Sequence, residues 1–222
     1  MRLLVALALA GALTACGDAP EPATDDLEAA TEDAAPVLER TAEMAEKGAL
    51  GVGDRAPDFT LPDATGGEIR LSELLVDGPV VLTFYRGAWC PYCNTQLRDY
   101  QLALPDLEDA GASLVAVSPQ TPDSSLTTAE KNDLAFPVLS DAGLEVSRDY
   151  GLVFRVDEST RDRYRLGGVD LERYNGTGDW ELPVPATYVI DQSGTVRAAF
   201  VEADYTQRAS PRDVLEAVRD LA

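Results

Sequence analysis

The sequence predicts an α/β fold in which a central mixed sheet is flanked by helices. Short apolar runs rich in β-branched residues, typical of buried strands, alternate with helix patterns from about residue 79 onward. Two such runs joined by a tight turn end the series, as an antiparallel hairpin would. With 222 residues, the chain has room for one domain of this kind and an additional tail.

The first part of the domain is organised around residues 79–85. Their sequence, Pro-Val-Val-Leu-Thr-Phe-Tyr, predicts a central buried strand, and a turn is expected at 86–89. A helix is expected from Pro91, because proline suits the first helical position and leucines follow at helical spacing. Pro105 should kink or end this helix.

The later elements follow the same alternation up to one interruption. They are a strand at 113–118, a helix at 127–134, a strand at 137–139, a short helix at 144–150, a hairpin of 186–190 with 196–201, and a closing helix at 211–221 capped by Ser210. Residues 153–183 do not fit the pattern, because they are rich in arginine and acidic residues and end in a glycine-rich stretch. We therefore expect an insertion at about 153–183, on the surface.

Charge and composition exclude several classes of function. The chain has 18 basic and 39 acidic residues, for a formal net charge of −21 at pH 7. This charge argues against nucleic acid as a partner and against electrostatic docking on anionic lipid. Histidine is absent, and there are only three cysteines. These counts leave no ligand set for a Cys-only or His-containing metal site, so the sequence predicts no metal.

Residues 1–15 predict an export signal. Arg2 precedes an apolar stretch at 3–13, which is too short for a bilayer span of roughly 20 residues. The end of this stretch, Leu-Thr-Ala-Cys at 13–16, resembles the lipobox of bacterial lipoproteins, in which the peptide is cut before an acylated cysteine. That resemblance implies a protein exported, lipid-anchored through Cys16 to a bacterial membrane and facing the periplasm or cell exterior. An ordinary signal with a chance cysteine is the alternative.

Residues 16–50 predict an acidic tether. From residue 17 to residue 50 there are ten acidic and two basic residues, with many Ala, Pro and Thr. Such a composition favours a solvated, self-repelling spacer, although 36–47 has the pattern of a short helix. The folded domain is accordingly expected at 51–222.

The candidate chemistry lies in the Cys-Pro-Tyr-Cys motif at 90–93. The motif follows a buried strand and opens a helix, where the backbone N–H groups and the helix dipole stabilise an anion. We therefore expect Cys90 to have a lowered pKa and to be the nucleophile. Cys93, one helical turn later, is placed to resolve a mixed disulfide. A purely structural disulfide is disfavoured, because so small a ring removes little loop-closure entropy.

The sequence from Pro79 to Cys93 resembles the thioredoxin superfamily. The segments Gly-Asp-Arg-Ala-Pro-Asp-Phe-Thr-Leu-Pro at 53–62 and Arg-Gly-Ala-Trp-Cys-Pro-Tyr-Cys at 86–93 are similar to the alkyl hydroperoxide reductase/thiol-specific antioxidant family and its peroxiredoxin-like bacterial members. The resemblance covers roughly residues 51–221. It implies a thioredoxin-like fold and a thiol-dependent oxidoreductase with a redox-active Cys90–Cys93 disulfide.

The resemblance also implies supporting residues. Pro185 stands where disulfide-exchanging members carry a cis-proline facing the active-site cysteine, with an ordinary strand-start proline as the alternative. Trp89 directly before Cys90 matches the thioredoxin pattern, and Pro91 belongs to a Cys-Pro-Tyr-Cys tetrapeptide that is also that of glutaredoxins. Arg86 and Arg208 could each supply a guanidinium to the thiolate, with a surface ion pair as the alternative for both. Counted from Cys90, Thr83 and Gly87 occupy positions where peroxidases of the family carry Pro and Thr or Ser.

Three functions follow from these observations. The first is thiol–disulfide exchange with protein or small-molecule thiols and disulfides. The second is a thiol-dependent peroxidase that reduces hydroperoxides through a Cys90 sulfenate, which the departures at Thr83 and Gly87 disfavour. The third is a non-catalytic binding lipoprotein, which the intact pair of cysteines disfavours. No metal, haem, flavin or nucleotide cofactor is implied, since no ligand set or phosphate-binding loop is present.

Overall fold

A computed structural model describes residues 35–221. The predicted export signal, Cys16 and the first part of the acidic tether lie outside the described residues. The described part begins with helix α1 (Ala35–Gly48), which confirms the short helix expected at 36–47. Between residues 35 and 221, no helix combines the length and apolar character needed to cross a bilayer.

The elements after α1 alternate as the sequence predicts. Those before the central sheet are β1 (Thr60–Pro62), β2 (Glu68–Arg70) and α2 (Leu71–Asp77). The next are β3 (Val80–Phe84), α3 (Pro91–Asp109), β4 (Ser113–Ser118), α4 (Pro122–Asn132), β5 (Val138–Ser140) and α5 (Glu145–Asp149). The last are β6 (Val153–Arg155), α6 (Glu158–Leu166), α7 (Leu171–Asn175), β7 (Glu181–Pro183), β8 (Ala186–Ile190), β9 (Val196–Val201) and α8 (Pro211–Arg219).

The central sheet has the strand order β5-β4-β3-β8-β9 and is mixed, as predicted. Strands β3, β4 and β5 run parallel, whereas β8 is antiparallel to both β3 and β9. Both β3 and β8 are buried along their whole length, because other elements cover both faces of a central strand. The loop before α3 therefore begins at the carboxyl end of the buried central strand of the sheet.

Helix α3 begins at Pro91, as predicted, but it does not end at Pro105. It continues to Asp109, with Leu104 and Leu107 buried on either side of the proline. A proline inside a helix removes one backbone hydrogen bond, and burial of the two leucine side chains offsets that cost. The expectation of a helix end at Pro105 is therefore wrong.

The end of the domain forms as the sequence predicts. Strands β8 and β9 pair in the expected hairpin, and the Ser210 Oγ caps α8 by accepting a hydrogen bond from the Asp213 N–H at 3.2 Å. Helix α4 starts earlier than expected, at Pro122, because the Thr121 side chain caps it there. Caps and tight turns are determined by a few neighbouring residues, so the hairpin and the start of α8 could be predicted from the sequence.

The segment expected as a surface insertion is only partly on the surface. Its ends, β6 and β7, pair as an antiparallel ribbon. Three of its large apolar side chains are buried in the main core, namely Leu171, Trp180 and Leu182. These large apolar side chains contribute to the core, so the segment cannot lie wholly in solvent. Helix α6 places the half-buried Tyr164 against the loop that follows β3.

The carboxyl half of α1 packs on the domain. Ala42 and Ala45 are buried, and the Leu50 N–H donates to the Tyr150 carbonyl at 3.2 Å. Gly151, with φ +74°, allows the backbones to approach so closely that a Cβ there would lie 2.2 Å from the Gly48 carbonyl oxygen. The last turns of α1 therefore join the wall of the domain next to β6.

Candidate active site

The two cysteines of the motif lie at the start of α3. Cys90 is the N-cap residue and Pro91 is the first helical residue, so Cys93 lies one turn into the helix. Neither cysteine forms a disulfide in this structure. Cys90 is 1% exposed and Cys93 is fully buried, so a reacting partner reaches Cys90 only after a local movement.

The surroundings of the two thiols separate their pKa values. The pKa of Cys90 is lowered to about 6, and the largest cause is the side-chain hydrogen bond from Cys93. The positive charges of Arg86 and Arg208 and the Cys93 backbone N–H lower it further, whereas burial of Cys90 raises it. Burial, together with the hydrogen bond and negative charge of Cys90, raises the pKa of Cys93 well above 9.0. The pair thus holds one thiolate, on Cys90, and one thiol, on Cys93.

A buried network of amides holds the loop between β3 and α3. The Gln120 side-chain oxygen accepts a hydrogen bond from the Ala88 N–H at 2.6 Å. The Asn94 side-chain amide donates to the Ala88 and Cys90 carbonyls at 2.7 and 3.1 Å. Asn132 in turn donates to Asn94 at 3.1 Å. The roles of Asn94 and Asn132 were not predictable from the sequence, because a single buried amide gives no periodic signal.

Arg86 is enclosed by aromatic rings. It is 2% exposed, and its guanidinium lies 4.4 Å from the ring centroid of Tyr205, 4.9 Å from that of Trp89 and 5.8 Å from that of Tyr164. It also donates a hydrogen bond to the Tyr164 hydroxyl. Arg86 forms no ion pair among the described side chains of residues 41–221, and its burial shows that the surface ion pair considered for this arginine is wrong.

Arg208 approaches the pair from the loop after β9. Its guanidinium lies 3.5 Å from the sulfur of Cys93, and in the described part of the chain it also has no carboxylate partner. Two guanidinium groups therefore act on the cysteines, as the sequence analysis considered. Tyr164 and Tyr205, which complete the surroundings of Arg86, were not predicted.

Trp89 is half-buried directly before Cys90. Its ring packs against that of Tyr164 with 5.2 Å between the centroids, and its indole N–H has no hydrogen-bond partner among the described residues. This packing links the loop before α3 to helix α6. The role in the site that was expected for Trp89 stays a prediction.

Pro185 lies in the site region but not in the expected conformation. All described peptide bonds are trans, including the one before Pro185. The Val184 N–H donates to the Leu152 carbonyl at 2.8 Å, and the Pro185 carbonyl accepts from the Glu202 N–H at 3.2 Å. These bonds hold the segment between β7 and β8 extended, which a trans peptide allows. The expected cis-proline is therefore wrong, although Pro185 does line a cavity next to Arg86.

This cavity has a volume of about 490 Å³. It is bounded by α1, β6, α6 and the loop after β9, and Arg86 connects it to the cysteines. Its lining residues are Ala42, Glu43, Arg86, Phe154, Thr160, Arg163, Tyr164, Pro185, Ala203, Asp204 and Tyr205. In the part of the chain that the structure covers, no three acidic or cysteine side chains gather as metal ligands would.

The sequence profile of the AhpC/TSA family matches residues 52–199, which include both cysteines and most of the sheet. The chain belongs to the AhpC/TSA family. This assignment confirms the resemblance on which the predicted fold and the predicted oxidoreductase chemistry depended.

Relatives of this AhpC/TSA protein carry two kinds of name. A Mycobacterium tuberculosis protein named as a peroxiredoxin is 38% identical over 102 residues, which are 46% of this chain and 64% of that relative. The thiol-disulfide oxidoreductase ResA of Geobacillus kaustophilus is 29% identical over 153 residues, covering 68% of this chain and 70% of ResA. The match thus spans somewhat less than two thirds of the first of these relatives.

Solved structures give the same fold. Peroxidoxin BcpB from Mycobacterium tuberculosis superposes with a TM-score of 0.62 at 27% identity, covering 78% of this chain and 99% of BcpB. Peroxiredoxin Q from Xanthomonas campestris superposes with a TM-score of 0.56 at 20% identity, covering 73% of this chain and 90% of that structure. The thioredoxin-like fold predicted for the AhpC/TSA domain is thereby confirmed.

Proposed function

We propose that the protein is a thiol–disulfide oxidoreductase in which Cys90 attacks and Cys93 resolves. The proposal depends on the opposite shifts of the two cysteine pKa values. The pKa of Cys90 is lowered to about 6, and that of Cys93 is raised well above 9.0. The thiolate is the nucleophile in disulfide exchange. Cys90 is therefore ionised at neutral pH, while Cys93 remains a protonated thiol.

The first step forms a mixed disulfide. The Cys90 thiolate attacks one sulfur of the substrate disulfide, the substrate S–S bond breaks, and the other half leaves as a thiolate that takes up a proton. Cys90 loses its negative charge in this step. Two of the causes that raise the pKa of Cys93, its hydrogen bond to Cys90 and the Cys90 charge, then disappear.

The second step closes the Cys90–Cys93 disulfide. Once Cys90 is neutral, Arg208 and Arg86 still lower the pKa of Cys93, opposed by burial. Cys93 can then lose its proton and attack Cys90, which releases the second half of the substrate as a thiol. In sum, one disulfide is reduced to two thiols while the enzyme dithiol is oxidised to a disulfide.

A second candidate function is a thiol-dependent peroxidase. It is supported by the two guanidinium groups beside the cysteines and by the relatives named as peroxiredoxins. The Cys90 thiolate would take the terminal oxygen of a hydroperoxide, giving a sulfenate and an alcohol. Cys93 would then condense with the sulfenic acid, forming the disulfide and water.

The hydroxyl group expected of a peroxidase is not supplied by the residues before Cys90. The Thr83 hydroxyl is fully buried in the sheet, within hydrogen-bonding distance of the Thr187 hydroxyl at 3.0 Å and of the Ala186 carbonyl at 3.3 Å. Gly87 has no side chain. A positioned donor is typically worth on the order of 10²-fold in rate, and this consideration favours disulfide exchange over peroxide reduction.

We also propose that the protein is exported and anchored to a bacterial membrane by lipid on Cys16. The proposal is supported by the apolar stretch at 3–13 and the Leu-Thr-Ala-Cys sequence that ends it. The acidic residues that follow would keep the domain away from an anionic lipid surface by charge repulsion. The domain would then react with thiols and disulfides outside the cytoplasm.

A side-by-side measurement tests the choice between the two activities. The reduced protein is mixed with hydrogen peroxide and, separately, with a protein disulfide, and the rate of Cys90 oxidation is followed in each. We expect fast exchange with the disulfide and peroxide consumption close to that of an ordinary low-pKa thiol. Cys90→Ser is the control that removes both reactions. Peroxide consumption orders of magnitude above a free thiolate would favour the peroxidase.

A further inference from the structure

We propose that the cavity next to Arg86 binds a zwitterionic disulfide of low molecular weight, one whose ends are amino acids. The proposal rests on the proposed exchange function and names its substrate class. A volume of about 490 Å³ is within the range of small-ligand sites. The charged residues of the cavity lie on different walls, and their arrangement identifies the ligand.

One wall carries two arginines that have no carboxylate partner in the described chain. Arg86 is 2% exposed, and its Nε has no hydrogen-bond partner. Arg163 lies on α6, next to the Tyr164 that contacts Arg86, and donates to the Thr160 hydroxyl at 2.9 Å. In a chain with 39 acidic and 18 basic residues, two neighbouring arginines without acidic partners favour an external anion.

The opposite charge is found where α1 meets the loop after β9. Glu43 lies on α1 and Asp204 on the loop, and both are exposed. The two elements touch, because the Glu46 carboxylate accepts a hydrogen bond from the Ala203 N–H at 3.1 Å. Among the side chains of residues 41–221, neither Glu43 nor Asp204 forms an ion pair. One oxygen of Asp204 accepts hydrogen bonds from the N–H and the hydroxyl of Thr206 at 2.9 and 2.7 Å. The Glu43 carboxylate and the other Asp204 oxygen are offered to a cation.

The remaining lining of the cavity is largely apolar. Phe154 and Pro185 are buried, and Ala42 and Ala203 come from α1 and the loop. An amino-acid end group has a carboxylate for the arginines, an ammonium for the acids and a short carbon chain for the apolar surface. Charge complementarity of this kind selects among ligands of similar size.

The exchange reaction with such a ligand follows the two steps given above. Cys90 is 1% exposed, so its attack requires a local movement that exposes the sulfur. The Cys90 thiolate then attacks one sulfur of the disulfide, and one amino-acid thiol leaves. Cys93 attacks the sulfur of Cys90 and releases the second amino-acid thiol. The products are two amino-acid thiols and the oxidised enzyme.

Four small disulfides with different end-group charges provide the test. They are cystine, which is zwitterionic; cystamine, which has only ammonium groups; dithiodipropionate, which has only carboxylates; and 2-hydroxyethyl disulfide, which is neutral. Stopped-flow oxidation of the reduced full-length protein gives KM for each. We expect the KM of cystine to be roughly tenfold or more below that of the neutral disulfide, because a charge-assisted hydrogen bond contributes about 1.5–3 kcal/mol.

Two variants connect this preference to the two walls. Arg163→Gln is expected to reduce the preference for cystine and dithiodipropionate over the neutral disulfide. Glu43→Gln is expected to reduce the preference for cystine and cystamine. Arg212→Gln and Glu216→Gln are the matched controls, since both residues are exposed on α8 and outside the cavity. The controls should keep the full preference.

The outcomes separate this proposal from the proposed function. Rapid exchange with all four disulfides at equal KM would overturn the zwitterion site and leave the exchange function intact. A preference that survives both cavity variants would overturn the site as well. If no disulfide reacts faster than with an ordinary thiol, the exchange function itself fails.

Discussion

A guanidinium nitrogen of Arg208 lies 3.5 Å from the sulfur of Cys93. The same loop places the Tyr205 ring 4.4 Å from the guanidinium of Arg86. One loop after β9 therefore covers the buried thiol and closes the aromatic enclosure of the arginine that acts on Cys90. Because of this cover, Cys93 is expected to react with Cys90 rather than with external partners.

The hydrogen bond between the two thiols can be tested by changing Cys93. Cys93→Ala removes the donor that contributes most to lowering the pKa of Cys90 from 9.0 to about 6, so this pKa should rise toward its ordinary value. Cys93→Ser keeps an O–H donor and should raise the pKa less. The ultraviolet absorbance of the thiolate, followed against pH, gives both values. Identical titrations of the two variants would show that the hydrogen bond is unimportant.

The charge of Arg86 should set the redox equilibrium of the pair. Arg86→Met keeps an apolar side chain among the rings but removes a charge that stabilises the Cys90 thiolate. A stabilised thiolate favours the reduced form, so the variant should shift the equilibrium toward the disulfide, by at most about tenfold for each unit by which the pKa of Cys90 rises.

Titration of the protein with a glutathione redox buffer measures this equilibrium. Arg212→Met, an exposed change on α8, should leave it unaltered. A shift of the Arg86→Met equilibrium toward the dithiol would contradict the electrostatic role of Arg86. Thermal unfolding of both variants checks that each one is folded.

Local signals in the sequence were sufficient for much of the fold. The strand predicted at 113–118 and the hairpin predicted at 186–190 and 196–201 form with the predicted bounds. The start of α3 at Pro91 and the position of Cys90 before it were also predictable. In each case burial pattern, proline geometry or a turn determines the structure within a few residues.

The surroundings of the cysteines depended on contacts between distant parts of the chain. Tyr164 meets Arg86 across 78 residues, and Arg208 meets Cys93 across 115. Such pairings depend on how the elements pack, which no local pattern encodes. The cis peptide expected at Pro185 is wrong as well, since the described peptide bonds are all trans, and Val184 and Pro185 pair with Leu152 and Glu202 of other segments.

The close approach of α1 to the domain should depend on Gly151. Gly151→Ala would place a Cβ 2.2 Å from the Gly48 carbonyl oxygen at φ +74°, so we expect a loss of about 2–4 kcal/mol in the free energy of unfolding. Gly111→Ala has a similar φ of +80° but no atom within 4 Å. This control should lose only about 1 kcal/mol. Urea unfolding compares the two.

A second measurement locates the damage in the Gly151 variant. If α1 is released, limited proteolysis should cut faster between α1 and β1 in Gly151→Ala than in Gly111→Ala. Equal losses of stability and equal cleavage in the two variants would mean that the contact with Gly48 contributes nothing.

Membrane attachment should depend on Cys16. Cys16→Ser removes the thiol that would be acylated, so the variant should leave the membrane fraction or remain unprocessed. Detergent phase partitioning of bacterial extracts measures the attachment. Cys90→Ser is the matched control, since it changes a cysteine that has no part in anchoring. Wild-type protein in the aqueous phase would contradict the lipid anchor.

The lowered pKa of Cys90 should appear as a pH dependence of stability. The folded protein holds this pKa at about 6, against an ordinary value of 9.0, so the unfolded state binds more protons between these pH values. Ionised Cys90 therefore contributes stability that is complete above pH 9.0 and is lost as the pH falls through about 6. In the folded wild-type protein Cys93 does not titrate in this window, because burial and the neighbouring Cys90 raise its pKa well above 9.0.

The comparison that isolates this effect is reduced wild type against Cys90→Ser, with urea unfolding in the presence of a strong reductant. The difference in the free energy of unfolding should increase with pH between pH 6 and 9, with a slope of at most about 1.4 kcal/mol per pH unit for one proton. Groups that titrate equally in both proteins cancel in the difference. A flat difference would mean that Cys90 is a thiol with an ordinary pKa, and the nucleophile would then have to be assigned anew.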